Sequence, residues 1–402
     1  MKIPALIICL FAYILVSCTT NNNKDSEIEL SQIKSPQVFT VNAPVAGNYP
    51  QGLFKYPYKV GTLENELFTQ TIEWSPKINK TFSANTQYTA ILTLEPVNRQ
   101  HTFKGTTVDG INGLPANGVK DDIDIEIKDR SLIIRINFET TANENAAAQL
   151  IFSDDFEGTE LDASKWEKCP EWDRQGRSTW KDDMVLVSDG FLHLKFKRDP
   201  ELGKEKTNNK TLADNWIRAG AVRTRRQQWP QWNMLFENNF GYYEAKIKFP
   251  VVSGTWGAFW LMSSTQNYTA YEGRDGTEID IIETINNHKG EYNSALHWNG
   301  YDNRHKSTGS DGSPRPINIY DGNFHTFALD WSPSEYVFYI DDKVFWRADG
   351  GSKFNNSGIN ENLNYIKLSI ESAPEWPGDI PKDFTEAEML VDYVRVYNQP
   401  RN

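Results

Sequence analysis

From Thr71 to Tyr397 apolar side chains recur at every second position and almost nowhere at the spacing of a helix. Residues two apart share one face of a strand, so such a chain buries its apolar atoms by pairing strands into sheets and stacking the sheets. T-I-E-W (Thr71–Trp74), Y-T-A-I-L-T-L (Tyr88–Leu94) and S-L-I-I-R-I-N-F (Ser131–Phe138) show the pattern early. It resumes in F-L-H-L-K-F-K (Phe191–Lys197), G-Y-Y-E-A-K-I-K-F-P (Gly241–Pro250), F-H-T-F-A-L-D-W (Phe324–Trp331), Y-V-F-Y-I-D-D-K-V-F-W (Tyr336–Trp346) and L-V-D-Y-V-R-V-Y (Leu390–Tyr397). The expected class is all-β. With 402 residues the chain exceeds one typical domain. T-A-N-E-N-A-A-A (Thr141–Ala148) reads as a linker between a small β-sandwich at 36–141 and a large sandwich or jelly roll at 150–400.

The first residues read as an export signal at 1–17: Lys2 supplies the charge and Ile3–Val16 the apolar run. L-V-S-C (Leu15–Cys18) looks like a bacterial lipobox, with Cys18 the lipidated residue. A polar tether at 18–35 would follow, which places the protein on a bacterial membrane, at the outer membrane or cell surface. Cys9 lies in the signal and Cys18 at its end, so Cys169 has no disulfide partner and is expected to be a packed loop residue. A net charge of −12 with no Lys/Arg-rich block argues against nucleic acid. A monomer is expected. Aromatic residues at 13% favour sugar-binding surfaces as well as cores.

Gly276–Thr284, G-T-E-I-D-I-I-E-T, sets Glu278, Asp280 and Glu283 among β-branched residues with no Lys or Arg beside them. Period two puts Glu278 and Asp280 on one face and would turn Glu283 to the other. A β-bulge at Ile281–Ile282 absorbs one residue and brings Glu283 back. Three carboxyls on one wall repel and raise a pKa, a cost that points to chemistry. Two carboxyls flanking one bond are what retaining glycoside hydrolysis requires. D-I-D-I-E-I-K (Asp122–Lys128) has similar composition but plain alternation, and reads as an ordinary half-exposed strand.

Around this triad the chain resembles glycoside hydrolase family 16, from Phe152 to Tyr397. The carriers are E-x-D-x-x-E at Glu278, Asp280 and Glu283, G-Y-Y-E-A-K-I-K-F-P and G-T-W-G-A-F-W-L-M (Gly254–Met262) before it, and F-H-T-F-A-L-D-W-S-P and D-Y-V-R-V-Y after it. The resemblance implies a two-sheet jelly roll with a glycan cleft, Glu278 as nucleophile, Glu283 as acid/base and Asp280 between them tuning the charge. It implies substrate contacts at Trp256, Trp260, His297, Trp298 and Trp376, and at Trp172, Arg174 and Arg223. It needs no cofactor for catalysis, and it implies a structural Ca2+ held by Glu157, Gly190 and Asp392. The span before the linker resembles immunoglobulin-like accessory modules of polysaccharide enzymes. The expected activity is that of a retaining endo-β-glycosidase on β-1,3- or β-1,3-1,4-glucan, with a β-galactan as the alternative and a non-catalytic glycan-binding lipoprotein as the rival. Two departures from laminarinase-like members stand out: Gly257 where those have Pro, and G-R-D-G before the triad.

Overall fold

The computed structural model describes residues 30–401 with internal breaks, chiefly at 51–55, 60–65, 115–122, 143–147, 270–271, 286–288, 311–314, 350–358 and 374–376. The leader, Cys18 and most of the tether lie outside the described residues, as does Trp376.

Two sheets pack around one core between Leu150 and Tyr397. The first has seven strands, all antiparallel, in the order Lys306–Gly309, Tyr292–Trp298, Glu278–Thr284, Trp256–Ser263, Asn364–Glu371, Ala221–Arg223, Glu167–Lys168. The second has eleven strands, with Phe191–Arg198, Glu386–Tyr397, Gly241–Lys248, His325–Trp331 and Glu335–Ile340 along its middle. Alternation decides what faces inward. Phe259, Leu261, Ile279, Ile282, Leu296, Ile366, Leu368 and Ile370 come from the first sheet, Leu192, Leu194, Tyr243, Ile247, Phe327 and Leu329 from the second, all fully buried. A buried Leu, Ile or Phe contributes about 1.5–3 kcal/mol, so this layer dominates the stability of the sandwich.

Before Leu150 a five-stranded antiparallel sheet runs Tyr56–Lys59, Glu66–Ser75, Thr89–Pro96, Ser131–Asn137, Ile123–Lys128. It has its own apolar cluster, in which Trp74 meets Phe82 and Tyr88 edge to face. The Ile123–Lys128 strand is the half-exposed one its sequence suggests, with Glu126 paired to Arg135 at 2.9 Å. Cys169 is free and buried.

One expected strand is two. Y-V-F-Y-I-D-D-K-V-F-W turns at Asp341–Asp342 into a hairpin pairing Ile340 with Lys343. Both turn residues have positive φ, 48° and 59°, as a tight two-residue hairpin demands.

Gly257, the departure from the usual proline, faces the core and not the carboxylates. A Cβ there would stand 2.8 Å from the Phe249 ring, and its N–H donates to Thr284 Oγ1 at 2.7 Å. Gly257→Pro removes that donor and forces a ring against Phe249, so urea unfolding should show a loss of about 1–3 kcal/mol.

Candidate active site

The bulge is present. Glu278 pairs with His297 and Asp280 with Ala295, but Glu283 pairs with Asn293, one residue out of step. On the other side Trp260 faces Asp280 and Ala258 faces Glu283, with the same slip. Directly opposed residues of an antiparallel pair share a face. Glu278, Asp280, Glu283, Ala258, Trp260 and His297 therefore stand on one side of the sheet, and the three isoleucines on the other. Ser294 Oγ donates to the carbonyl of Ile281 at 2.7 Å, which satisfies an acceptor that the broken ladder would leave open.

Each carboxyl has its own surroundings. Trp256 Nε1 donates to Glu283 Oε1 at 3.0 Å. The Tyr301 hydroxyl donates a short hydrogen bond to Glu278 Oε2. Asp280 Oδ2 is buried with no hydrogen-bond partner among the described residues; His297 Nε2 stands 3.4 Å away. His297 Nδ1 lies 3.0 Å from Nε2 of His305, whose ring stacks on it.

These surroundings set the protonation. Removal from water pushes the Glu278 carboxyl up, while the Tyr301 hydroxyl, Lys367 and Arg174 pull it back. Asp280 is held well above the usual carboxylate range by burial, then by the charges of Glu283 and Glu278. Burial, and then His305, bring the His297 imidazole down to about 4, so it is neutral at ordinary pH. The wall is an acidic surface in low dielectric, able to hold protons that exposed carboxyls would release.

The remaining expected contacts divide. Trp256 and His297 meet the carboxylates directly. Trp260 shares their face but is buried, its Nε1 donating to Ser369 Oγ at 3.1 Å. Trp172 is 60% exposed, and Arg174 lies beside it with its guanidinium 5.7 Å from the indole centroid. Three further expected contacts have packing or ion-pair partners within the protein. Trp298 follows His297 by one residue, so it points to the opposite face and packs in the core. Arg223 is closed on Glu167 at 2.7 Å. Arg174 is closed on Glu371 through two hydrogen bonds, of 2.7 and 3.1 Å. Tyr301 was not anticipated, since a tyrosine in a turn carries no pattern. Lys367 was also missed, although I-K-L-S-I-E sets Lys367, Ser369 and Glu371 on one face of a strand that is buried throughout.

The structure brings together two of the three calcium candidates. Glu157 and Gly190 come together, a Cβ at Gly190 lying 3.8 Å from Glu157 Oε1. Asp392, however, is neutralised by Lys246 Nζ at 2.6 Å. Glu278, Asp280 and His297 place ligand atoms within 4.8 Å of one another, the one such group found among the described residues. Three donors fall short of the six or more oxygens calcium takes.

Paired carboxyls on one wall of an antiparallel sandwich are the arrangement that carboxylate-dependent glycosidases require. A family model described as beta-porphyranase A–D, GH16 domain, matches residues 148–399. The chain belongs to glycoside hydrolase family 16, and it is an enzyme that hydrolyses O-glycosyl bonds. It is 24% identical to a beta-glucanase of Rhodothermus marinus, over 62% of this chain and 85% of that protein. It is 27% identical to a keratan-sulfate endo-1,4-beta-galactosidase of Sphingobacterium multivorum, over 63% of this chain and 56% of that one. Of two further curated relatives it spans only 34% and 38%. A solved structure from work on endo-acting O-glycanases of human gut bacteria matches with a TM-score of 0.50 and 24% identity, over 63% of this chain and 91% of that one, which supports the fold.

Because the phenol hydrogen bond favours the charged form of Glu278, Tyr301→Phe should raise the pH at which that carboxyl ionises. Carboxyl 13C NMR titration of the two proteins measures the shift; an unchanged midpoint counts against the bond.

Proposed function

We propose that the protein is a retaining endo-β-glycosidase in which Glu278 attacks the anomeric carbon and Glu283 protonates the leaving oxygen, then activates water for the second displacement. Asp280 sits between them as a charge that holds a proton on the wall. The observation that carries this reading is the one-residue slip of register that puts Glu283 beside the other two carboxyls. The double displacement needs a nucleophile and an acid on the same bond, and a straight strand supplies only one of them on this face. Trp172, exposed and beside Arg174, offers a stacking surface for a sugar ring farther along the chain.

The substrate is an internal bond of an extracellular polysaccharide. A β-1,3- or β-1,3-1,4-glucan is consistent with relatives named as glucanases. A β-galactan is favoured by one specific observation: the model that matches the whole of 148–399 describes β-porphyranases. The Sphingobacterium relative, named for a galactosidase activity, agrees with it. The leader and Cys18 support attachment to a bacterial membrane through lipid, and the sheet before Leu150 supports an immunoglobulin-like accessory module.

Incubating residues 19–402 with laminarin, barley β-glucan, agarose, porphyran and mucin glycans, then separating the products, assigns the sugar; oligosaccharides should come from one polymer class. On that polymer Glu278→Ala should abolish turnover and Glu283→Gln should lower kcat about 10²–10⁴-fold, with circular dichroism unchanged. Full activity in either variant would overturn the assignment.

A further inference from the structure

Lys367 lies in the middle of the seven-stranded sheet and is 6% exposed. Its strand register sets it opposite Trp260, and Trp260 is in turn opposite Asp280. Lys367 therefore shares the carboxylate face, two strands from Asp280, about 10 Å between backbones. Its side chain lies over the intervening indole: Nζ is 3.7 Å from the Trp260 ring centroid and 4.9 Å from that of Trp180. Two aromatic faces are a suitable seat for an ammonium.

What this lysine lacks is a carboxylate of its own. Arg174 is closed on Glu371 and Arg223 on Glu167. Among the described residues Lys367 Nζ has no carboxylate within 4.0 Å and no hydrogen bond. A methionine would fill the slot between two indoles without the cost of burying a charge. The charge itself is therefore the feature that requires a reason.

We propose that Lys367 is a positioning residue for the hydrolytic reaction, a fixed positive charge beside the acidic wall that keeps Glu278 anionic and ready to attack. The proposal rests on the reading of Glu278 as nucleophile. The groups that face this lysine are Glu278 and Asp280 from one strand two places away, with Glu283 behind them, Arg174 and Glu371, Arg223 and Glu167, and the buried Cys169 thiol. Its field lowers the carboxyls of both Glu278 and Asp280. Burial brings the ammonium down to about 8, and Glu278 is among the charges that push it back up. Below that pH the charge is present, which covers the range in which a nucleophile must ionise while an acid stays protonated.

The test compares kcat/KM against pH for the wild type, Lys367→Met and Lys367→Arg on the polymer the wild type hydrolyses. Lys367→Met should move the acid limb up by about one unit, a tenfold loss on that limb, and Lys367→Arg should restore it. A limb that stays in place in a folded Met variant overturns the proposal. Should Lys367→Met not fold, the coupling is read from the other end, because it is reciprocal. In Glu278→Gln the ammonium of Lys367, followed by NMR, should titrate lower than in the wild type, and an unmoved midpoint overturns the proposal equally. Coupling with no hydrolysis of any polymer would overturn the nucleophile assignment and the role of Lys367 with it, whereas hydrolysis without coupling overturns Lys367 alone.

Discussion

The β-bulge at Ile281–Ile282 decides which way Glu283 points, and with it what the seven-stranded sheet can do. Without the extra residue, Glu283 would enter the core where Ile282 now packs at 0% exposure, and an unpaired charge there would cost several kcal/mol. With it, two isoleucines in succession both reach the interior and the acid returns to the outer face. A bulge leaves backbone groups out of the ladder, so it persists only where something else bonds them. The Ser294 hydroxyl does this for Ile281, and the Ser294 N–H in turn donates to Ser310 Oγ at 3.0 Å. The strand beyond the bulge is tied down by Thr284, whose Oγ1 accepts from Gly257 N. The glycine that departs from the usual proline is thus part of what holds the bulged strand in register, and its contribution lies in packing and hydrogen bonding.

The class of the fold was legible because the two sheets obey one rule without long exceptions. Every strand quoted from the C-terminal part is a strand, except that Asp341–Asp342 splits one run into a hairpin. Two adjacent acids in an apolar stretch mark a turn once left-handed backbone is considered, and period two alone does not register that. The triad and its bulge were also legible, since only a slip of one residue reconciles three acids on one face with three buried isoleucines. The substrate-contact residues were less so. Trp298 is among the contacts the resemblance implies, but it directly follows His297, and neighbours in a strand face opposite ways. Arg174 and Arg223 have the composition of sugar-binding groups, but their partners Glu371 and Glu167 lie 197 and 56 residues away in the chain. Only the folded sheet brings them together. Tyr301 reaches Glu278 from a connecting segment 23 residues downstream, a contact no local pattern encodes.

The cost of the acidic wall explains the layout of cations around it. Two carboxylates within 4.8 Å repel by roughly 3–4 kcal/mol at an effective dielectric of about 20. Glu278 and Asp280 both have folded pKa values above their usual ones. They favour the folded state when protonated, and that contribution is lost as pH rises through the raised values. At the pH where hydrolysis must run, the wall is therefore a net burden on the fold that other interactions offset. Arg174 relieves it in part, pulling the Glu278 carboxyl down, but it is also bonded to Glu371, and Arg223 is closed on Glu167. Lys367, held by ring faces in place of an acid, keeps its full charge available to the wall. An ammonium seated on indoles is less tightly compensated than one in a salt bridge, so its field reaches farther into the low-dielectric face. That difference gives a physical reason for the sheet to bury a lysine between two tryptophans, two strands away from the carboxyls it serves.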